Sequence, residues 1–139
     1  MVSQKSIVIK IKNDISELEK VNQVFEQFAE NHQLLLKITN PVSLALDEIL
    51  NNIISYGYSD NENHGIKIEI QLSETLLKIQ IEDDGLQFDP FKVEEADTKS
   101  EIEEREVGGL GMHLVKNMLD DLSYEYKNKK NCLILEKNI

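Results

Sequence analysis

Residues 46–54 read LDEILNNII, an apolar-patterned run in which Glu48 and Asn52 stand four positions apart. At about 100° per residue, this spacing puts both side chains on the same side of a helix, one turn apart. The apolar stripe of that helix comprises Val42, Ala45, Leu46, Ile49 and Ile53. Glu48 and Asn52 lie along its edge, where a carboxylate is partly removed from water and still reaches a ligand.

This pair of side chains suits the chemistry of a metal-bound nucleotide. An amide oxygen such as that of Asn52 is a hard ligand suited to Mg²⁺. A carboxylate one turn away, here Glu48, can orient or deprotonate an attacking hydroxyl group. The alternative is ordinary solvated helix surface, so the pair indicates a site only if phosphate-binding elements follow it in the chain.

The first such element is Asp83-Asp84-Gly85, directly after an apolar strand. A carboxylate at the end of a strand can accept a hydrogen bond from the exocyclic amine of adenine. Gly85 lets the backbone come close to the ring. The alternative is a plain Asp-Gly turn.

The second element is Gly108-Gly109-Leu110-Gly111, which opens into an apolar-patterned helix near Met112. Glycines allow successive N–H groups to point toward an anion, and the helix N-terminus adds partial positive charge. The motif therefore predicts a phosphate cradle at Gly109, Leu110, Gly111 and Met112. A flexible hinge before a helix is the alternative, and three glycines in four residues make it less attractive.

An acidic segment, residues 91–107, separates the two glycine motifs. A lid that closes over a ligand is the functional interpretation, and a solvated acidic loop is compatible with it. Between Glu94 and Glu106 only Lys99 and Arg105 are basic. Either is a candidate phosphate contact.

Hydrophobic periodicity predicts the elements around these motifs. Strands are expected over 6–12, 64–72, 75–82, 123–127 and 132–137, the last two as a hairpin around Asn128-Lys129-Lys130-Asn131. Helices are expected from an Asp14 cap to Asn31, from an Asn40 cap with Pro41 at the first helical position to Tyr56, and over 112–122. The order β-α-α-β-β-loop-α-β-β predicts an α+β fold, with helices on one face of a mixed sheet.

Composition limits the function classes. The 139 residues suit one domain, 1–139, and carry 15 basic against 26 acidic side chains, a net charge of −11. This charge argues against direct nucleic-acid binding. No apolar run approaches the roughly 18–20 residues that span a bilayer, and one cysteine, Cys132, forms no disulfide framework. A cytoplasmic protein without membrane insertion is expected; His32 and His64 are too far apart in sequence to indicate a metal site.

Together these motifs resemble those of the GHKL (histidine-kinase-like) ATPases. Residues 46–54 look like the N box, Asp83-Asp84-Gly85 like the G1 box, and Gly109-Leu110-Gly111 like the G2 box. The compact size and the run from Gly109 to Val115 are similar to the anti-sigma factor serine/threonine kinase branch. The resemblance implies the Bergerat fold, a two-layer α/β sandwich with a mixed, mostly antiparallel sheet.

The resemblance also implies roles and partners. Asn52 would ligate Mg²⁺ bridging the phosphates of ATP or ADP, Glu48 would be the catalytic base, and Asp83 with Gly85 would bind adenine. Members of this branch bind a sigma factor in one state, phosphorylate a STAS-domain anti-anti-sigma protein in the other, and are commonly homodimers.

Two functional hypotheses follow. The first is an ATP-dependent protein serine kinase and anti-sigma factor that regulates transcription by partner switching. The second is a protein-interaction switch that binds ATP or ADP without phosphotransfer, because the same pocket serves both purposes.

Overall fold

The computed structural model describes residues 5–87, 89 and 115–139. Its strands are β1 (Lys5–Lys12), β2 (Gly65–Leu72), β3 (Leu76–Asp83), β4 (Asp121–Lys127) and β5 (Lys130–Asn138). Its long helices are α1 (Leu18–Asn31) and α2 (Leu36–Tyr56). A 3-10 turn, Ile15–Glu17, precedes α1, and residues 115–118 are helical. Among the described residues, no helix combines the length and the apolar character that a bilayer crossing requires.

The five strands form one sheet in the order β1-β2-β3-β5-β4, and each neighbouring pair is antiparallel. The register aligns apolar positions across the sheet; Ile68 on β2, for example, lies opposite both Ile9 on β1 and Ile81 on β3. Because alternate residues of a strand point to opposite faces, these rows share one face. The sequence predicted a mixed, mostly antiparallel sheet, and the described strands are antiparallel throughout.

The two long helices cover that apolar face. Buried side chains of the sheet and of both helices form one continuous core, which includes Ile9, Ile66, Ile68, Ile70, Ile79, Ile81 and Leu135 from strands and Val21, Phe25, Val42, Leu46 and Leu50 from helices. Burial of this apolar surface is the main stabilising term, at roughly 25 cal/mol per Å². The opposite face presents polar side chains such as Lys10, Lys67 and Glu82. The predicted two-layer α+β fold is confirmed.

The first helical region starts where the sequence predicted. Asp14 Oδ1 accepts a hydrogen bond from the backbone N–H of Ser16 at 2.9 Å, and Glu17 Oε1 accepts one from the N–H of Lys12 at 3.1 Å. The chain first makes the single 3-10 turn there, and α1 begins one turn later.

The predicted start of α2 was wrong. Asn40 was expected as its cap and Pro41 as its first residue, but the helix begins at Leu36 and Pro41 lies inside it. Proline there removes only the hydrogen bond that its N–H would make to the carbonyl of Lys37. Lys37 is exposed, so water can take that carbonyl. The predicted end is confirmed, since α2 stops at Tyr56.

The predicted helix over 112–122 extended too far. Residues 112–114 lie outside the described residues, residues 115–118 are helical, and β4 already begins at Asp121. The N–H of Asp120 donates to the carbonyl of Glu136 on β5 at 3.0 Å. Pairing with β5 therefore replaces the last helical turn.

The closing hairpin has a tighter turn than predicted. Its two central residues, Asn128 and Lys129, have φ angles of 54° and 62°, the left-handed values of a type I′ turn. The strands therefore run up to Lys127 and from Lys130. As a consequence Asn131, which was expected in the turn, stands on β5.

Candidate functional site

The middle of α2 presents Glu48 and Asn52 at the border between core and surface, as the sequence predicted. Asn52 is 8% exposed, and Glu48 is partly buried. Burial raises the pKa of Glu48 above its ordinary value of 4.5, because desolvation penalises the charged carboxylate. A carboxylate with a raised pKa accepts a proton more readily, which is the property that a general base needs.

Asp83 ends β3 on the buried side of the sheet. It is 5% exposed, and its Oδ1 accepts hydrogen bonds from the backbone N–H of Gly85 at 2.9 Å and from Asn131 Nδ2 at 3.0 Å. Burial raises the pKa of Asp83, and these two hydrogen bonds oppose that rise. Within the described part of the chain, both hydrogen bonds fall on Oδ1, which leaves Oδ2 to accept a donor from a ligand.

Asn131 is a site residue that the sequence did not reveal. It is 6% exposed, and besides holding Asp83 it donates from Nδ2 to the carbonyl of Leu86 at 2.9 Å. Its Oδ1 accepts a hydrogen bond from the hydroxyl of Tyr124. A buried carboxamide with partners on several segments fixes the orientation of the Asp83 carboxylate. The strand register could have identified Asn131, since it pairs with Asp83 across β3 and β5. That register can be derived only when the turn is correctly placed at Asn128 and Lys129.

Two glycines bring the end of α2 against the end of β3. The N–H of Leu86 donates to the carbonyl of Gly57 at 2.7 Å. A Cβ atom on Gly85 would lie 2.5 Å from that same carbonyl oxygen, a distance that real atoms do not reach. The sequence explained Gly85 by the approach of a nucleobase. The structure shows that this glycine also lets α2 meet the Asp83 segment.

We expect Gly85→Ala to lower the free energy of unfolding by about 1–3 kcal/mol, because its methyl group would collide with backbone. Gly65→Ala is the matched control, since a Cβ there would meet only the carbonyl oxygen of Ile11, at 4.0 Å. Urea unfolding of both variants measures the difference. Equal stability of the two variants would contradict the close contact at Gly85.

The other predicted site residues lie outside the described residues: Lys99, Arg105, Gly109, Leu110, Gly111 and Met112. Their part in phosphate binding stays a prediction, as does the lid over 91–107. The helical residues 115–118, which follow this predicted cradle, are attached to the core, because Val115 and the adjoining Leu119 both pack into it.

Residues 11–137 match the sequence model of the histidine kinase-like ATPase domain. The chain belongs to this family. The matched range contains α2, the Asp83 segment and Asn131, so it covers each described part of the candidate site. Membership of the histidine kinase-like ATPase family implies nucleotide binding.

Relatives of this histidine kinase-like ATPase domain are named as kinases and anti-sigma factors. The serine/threonine-protein kinase BtrW of Bordetella bronchiseptica is 26% identical over 94 residues, which cover 68% of this chain and 66% of the relative. The anti-sigma F factor of Clostridium novyi is 28% identical over 96 residues, with coverage of 69% and 67%. The serine-protein kinase RsbW of Staphylococcus aureus is 30% identical over 101 residues, with coverage of 69% and 63%.

The matched segments span about two thirds of the length of these relatives. Their names and the family match confirm the resemblance to the anti-sigma factor kinase branch that the sequence motifs indicated.

Proposed function

We propose that this histidine kinase-like ATPase domain is an ATP-dependent protein serine kinase that also acts as an anti-sigma factor. In one state it phosphorylates a STAS-domain anti-anti-sigma protein, and in the other it captures a sigma factor, which regulates transcription. The observation that carries the proposal is the buried Asp83 carboxylate at the end of β3, which Asn131 and Gly85 orient. The names of the relatives support the kinase and anti-sigma parts.

Asp83 is suited to recognise adenine. Its Oδ1 is engaged by Gly85 and Asn131, so its Oδ2 accepts the exocyclic amine of the base. A buried carboxylate pairs strongly with a donor, since leaving it unpaired away from water is unfavourable. The same requirement disfavours guanine, which presents a carbonyl oxygen at the equivalent position.

Asn52 offers a ligand that fits Mg²⁺. Its side-chain carbonyl is a hard oxygen atom at the edge of the core, and Mg²⁺ prefers such ligands with some water retained. Asn52 would hold the ion as a neutral ligand, while Glu48 stays available for proton transfer. Bound Mg²⁺ would supply positive charge that offsets the charge of the phosphates.

Glu48 carries the proton transfer in this proposal. Its carboxylate accepts the proton of the serine hydroxyl of the partner protein, and burial at the core edge keeps its pKa raised for that task. Asn52, one turn further along α2, orients the phosphate end of ATP. In an acidic chain with a net charge of −11, backbone amides and a metal ion are suitable groups for holding phosphates. The predicted Gly109–Gly111 cradle would supply such amides, and Lys99 and Arg105 are candidate cationic contacts.

Incubation with radiolabelled ATP and the STAS-domain proteins of the same organism tests this function. We expect γ-labelled ATP with Mg²⁺ to label one serine of a STAS protein, and α-labelled ATP to label none, which separates transfer from tight binding. Replacement of that serine by alanine should abolish the label. Nucleotide binding without any transfer would instead support the interaction switch, and absence of binding would overturn both.

A further inference from the structure

His64 lies between two acidic side chains from different parts of the fold. Its Nε2 is 2.9 and 3.1 Å from the carboxylate oxygens of Asp60, four residues earlier. Its Nδ1 is 3.2 and 3.3 Å from those of Asp84, directly after β3. A neutral imidazole has one N–H group and donates to only one partner. Hydrogen bonds to both carboxylates therefore require the protonated ring.

The imidazole ring is held in place by neighbouring groups. Tyr58 stacks on it, with ring centroids 4.5 Å apart and 21° between the planes. The backbone N–H of His64 donates to Asn13 Oδ1, and its carbonyl accepts from the Asn13 N–H, both at 3.0 Å. Only 18% of the side chain is exposed. These contacts keep the two ring nitrogens directed at Asp60 and Asp84.

The segment that carries His64 contacts the turn that follows Asp83 in the candidate nucleotide site. Asp84 directly follows Asp83, and Leu86, two residues further, is bonded to the carbonyl of Gly57 at 2.7 Å. Residues 57–64 thus hold the turn after Asp83 at two points, through Gly57 and through His64. Loss of one of these attachments gives the turn, and with it Asp83, freedom to move.

We propose that protonated His64 is a positioning residue that clamps Asp84 to Asp60 and so keeps the adjacent Asp83 carboxylate in its nucleotide-binding position. This inference rests on the proposed function, because it takes Asp83 as the residue that receives the base. The clamp makes nucleotide affinity depend on pH, since it holds while the ring is charged and releases when the ring loses its proton.

The groups around the ring set the direction of this effect. Asp60 and Asp84 are its partners, the Glu62 carboxylate has an oxygen within 4.8 Å of the donor atoms of Asp60 and His64, and Tyr58 covers one face. Three lysines line the open depression beside Asp84: Lys10, Lys67 and Lys130. The hydrogen bonds to Asp60 and then to Asp84 raise the pKa of His64 above its ordinary 6.5, and partial desolvation opposes this rise.

The sign follows from that direction. A histidine whose pKa is raised in the folded state makes its full stabilising interaction below the unfolded pKa, about 6.5. That interaction is lost as the pH rises through the raised pKa. The clamp is therefore closed in mildly acidic solution, and nucleotide affinity falls as the pH rises through the raised pKa of His64.

Calorimetric titration of ADP at pH 6.0 and pH 8.5 into wild type, His64→Gln and His32→Gln tests the clamp. We expect the wild type to bind ADP at least about fivefold more tightly than His64→Gln at pH 6.0, and this advantage to be smaller at pH 8.5. The ratio of two proteins at one pH cancels the titration of ADP itself. His32→Gln, which alters a histidine packed on Phe28, should follow the wild type. An identical pH profile in the wild type and His64→Gln would overturn the clamp.

NMR titration of the His64 ring separates failure of the clamp from failure of the proposed function. We expect the ring to titrate above pH 6.5 in the wild type, and Asp84→Asn to lower its pKa, whether or not ADP is present. If ADP binds to none of these proteins, the proposed function fails, and an unchanged ring pKa in Asp84→Asn overturns the clamp independently.

Zinc chloride tests a competing occupant of the same groups. Donor atoms of Asp60, Glu62 and His64 lie within 4.8 Å of one another, a spacing that one divalent cation can bridge. The titrations above are run with a chelator that removes transition metals. If one equivalent of zinc abolishes the ring titration and raises the melting temperature, the cluster is a metal site and the proton clamp is overturned; no effect of zinc supports the clamp.

Discussion

Glu48→Gln is expected to lower phosphotransfer to a STAS-domain partner by about 10²–10⁴-fold while ATP still binds. The substitution keeps the shape of the side chain and removes its ability to take the proton of the attacking hydroxyl. In the proposed function adenine is recognised by Asp83, at the end of another element, so the affinity for ATP should change by no more than a few-fold. Single-turnover transfer from γ-labelled ATP and calorimetric binding measure the two quantities separately.

Asp47→Asn is the matched control for this variant. Asp47 is the preceding residue of α2, and its Oδ1 accepts a hydrogen bond from Asn22 Nδ2 at 3.0 Å, which an asparagine at that position can also accept. We therefore expect transfer at the wild-type rate. Equal rates for Glu48→Gln and the wild type would show that Glu48 is not the base.

The pH dependence provides a second readout of the same assignment. A general base works in its deprotonated form, so transfer is lost as the pH falls through the pKa of Glu48. Because burial raises that pKa above 4.5, the rate of transfer falls off at a higher pH than it would with an exposed glutamate. The residual activity of Glu48→Gln should lack this fall in rate.

Period-2 and helical patterns were sufficient to predict the α+β class and most of the described elements. Alternating isoleucines such as Ile66, Ile68 and Ile70 are all buried on one face, because a strand between a helix layer and solvent must alternate. The stripe of α2 was likewise predictable, and with it the border position of Glu48 and Asn52. These features depend on local spacing, which a single sequence displays directly.

Features that depend on pairing between distant segments were not predictable. Asn131 reaches Asp83 from 48 positions away, and only the β3–β5 register places them side by side. The clamp at His64 depends on Asp84, 20 positions away, so the histidine had no visible pattern in the sequence. The close contact of Gly85 with Gly57 was likewise not predictable, because Gly57 comes from the end of another element; the approach of Gly85 to a nucleobase stays a prediction.

The early start of α2 shows that a local sequence signal does not always predict where a helix begins. Asn40-Pro41 is a strong local signal for a helix start, yet tertiary packing favours the additional turn from Leu36. Thr39, within that turn, is 7% exposed. The local preference for a helix start at proline is overridden here for two reasons. The preceding turn packs against the protein, and the proline removes only one backbone hydrogen bond, to the carbonyl of an exposed residue.

Asp83→Asn is expected to lower the affinity for ATP by about 10–100-fold and to reverse part of the preference for adenine over guanine. Asn131 Nδ2 and the Gly85 N–H both donate to Oδ1 of residue 83. They will therefore hold the carbonyl oxygen of the new asparagine and turn its amide nitrogen toward the ligand. The site then presents a donor where it presented an acceptor, which opposes the adenine amine and matches the guanine carbonyl.

Calorimetric titration with ATP and GTP measures this reversal, with Glu82→Gln as the control. Glu82 is the preceding residue of β3 and pairs with Lys130 at 3.3 Å on the opposite face of the sheet, so its substitution should change neither affinity. Loss of binding through unfolding is not expected for Asp83→Asn. Burial raises the pKa of Asp83, so its ionised form opposes folding above the unfolded value of 3.8, and a neutral amide at pH 7 avoids that penalty. If Asp83→Asn binds ATP as tightly as the wild type and still rejects GTP, adenine is recognised elsewhere in the chain.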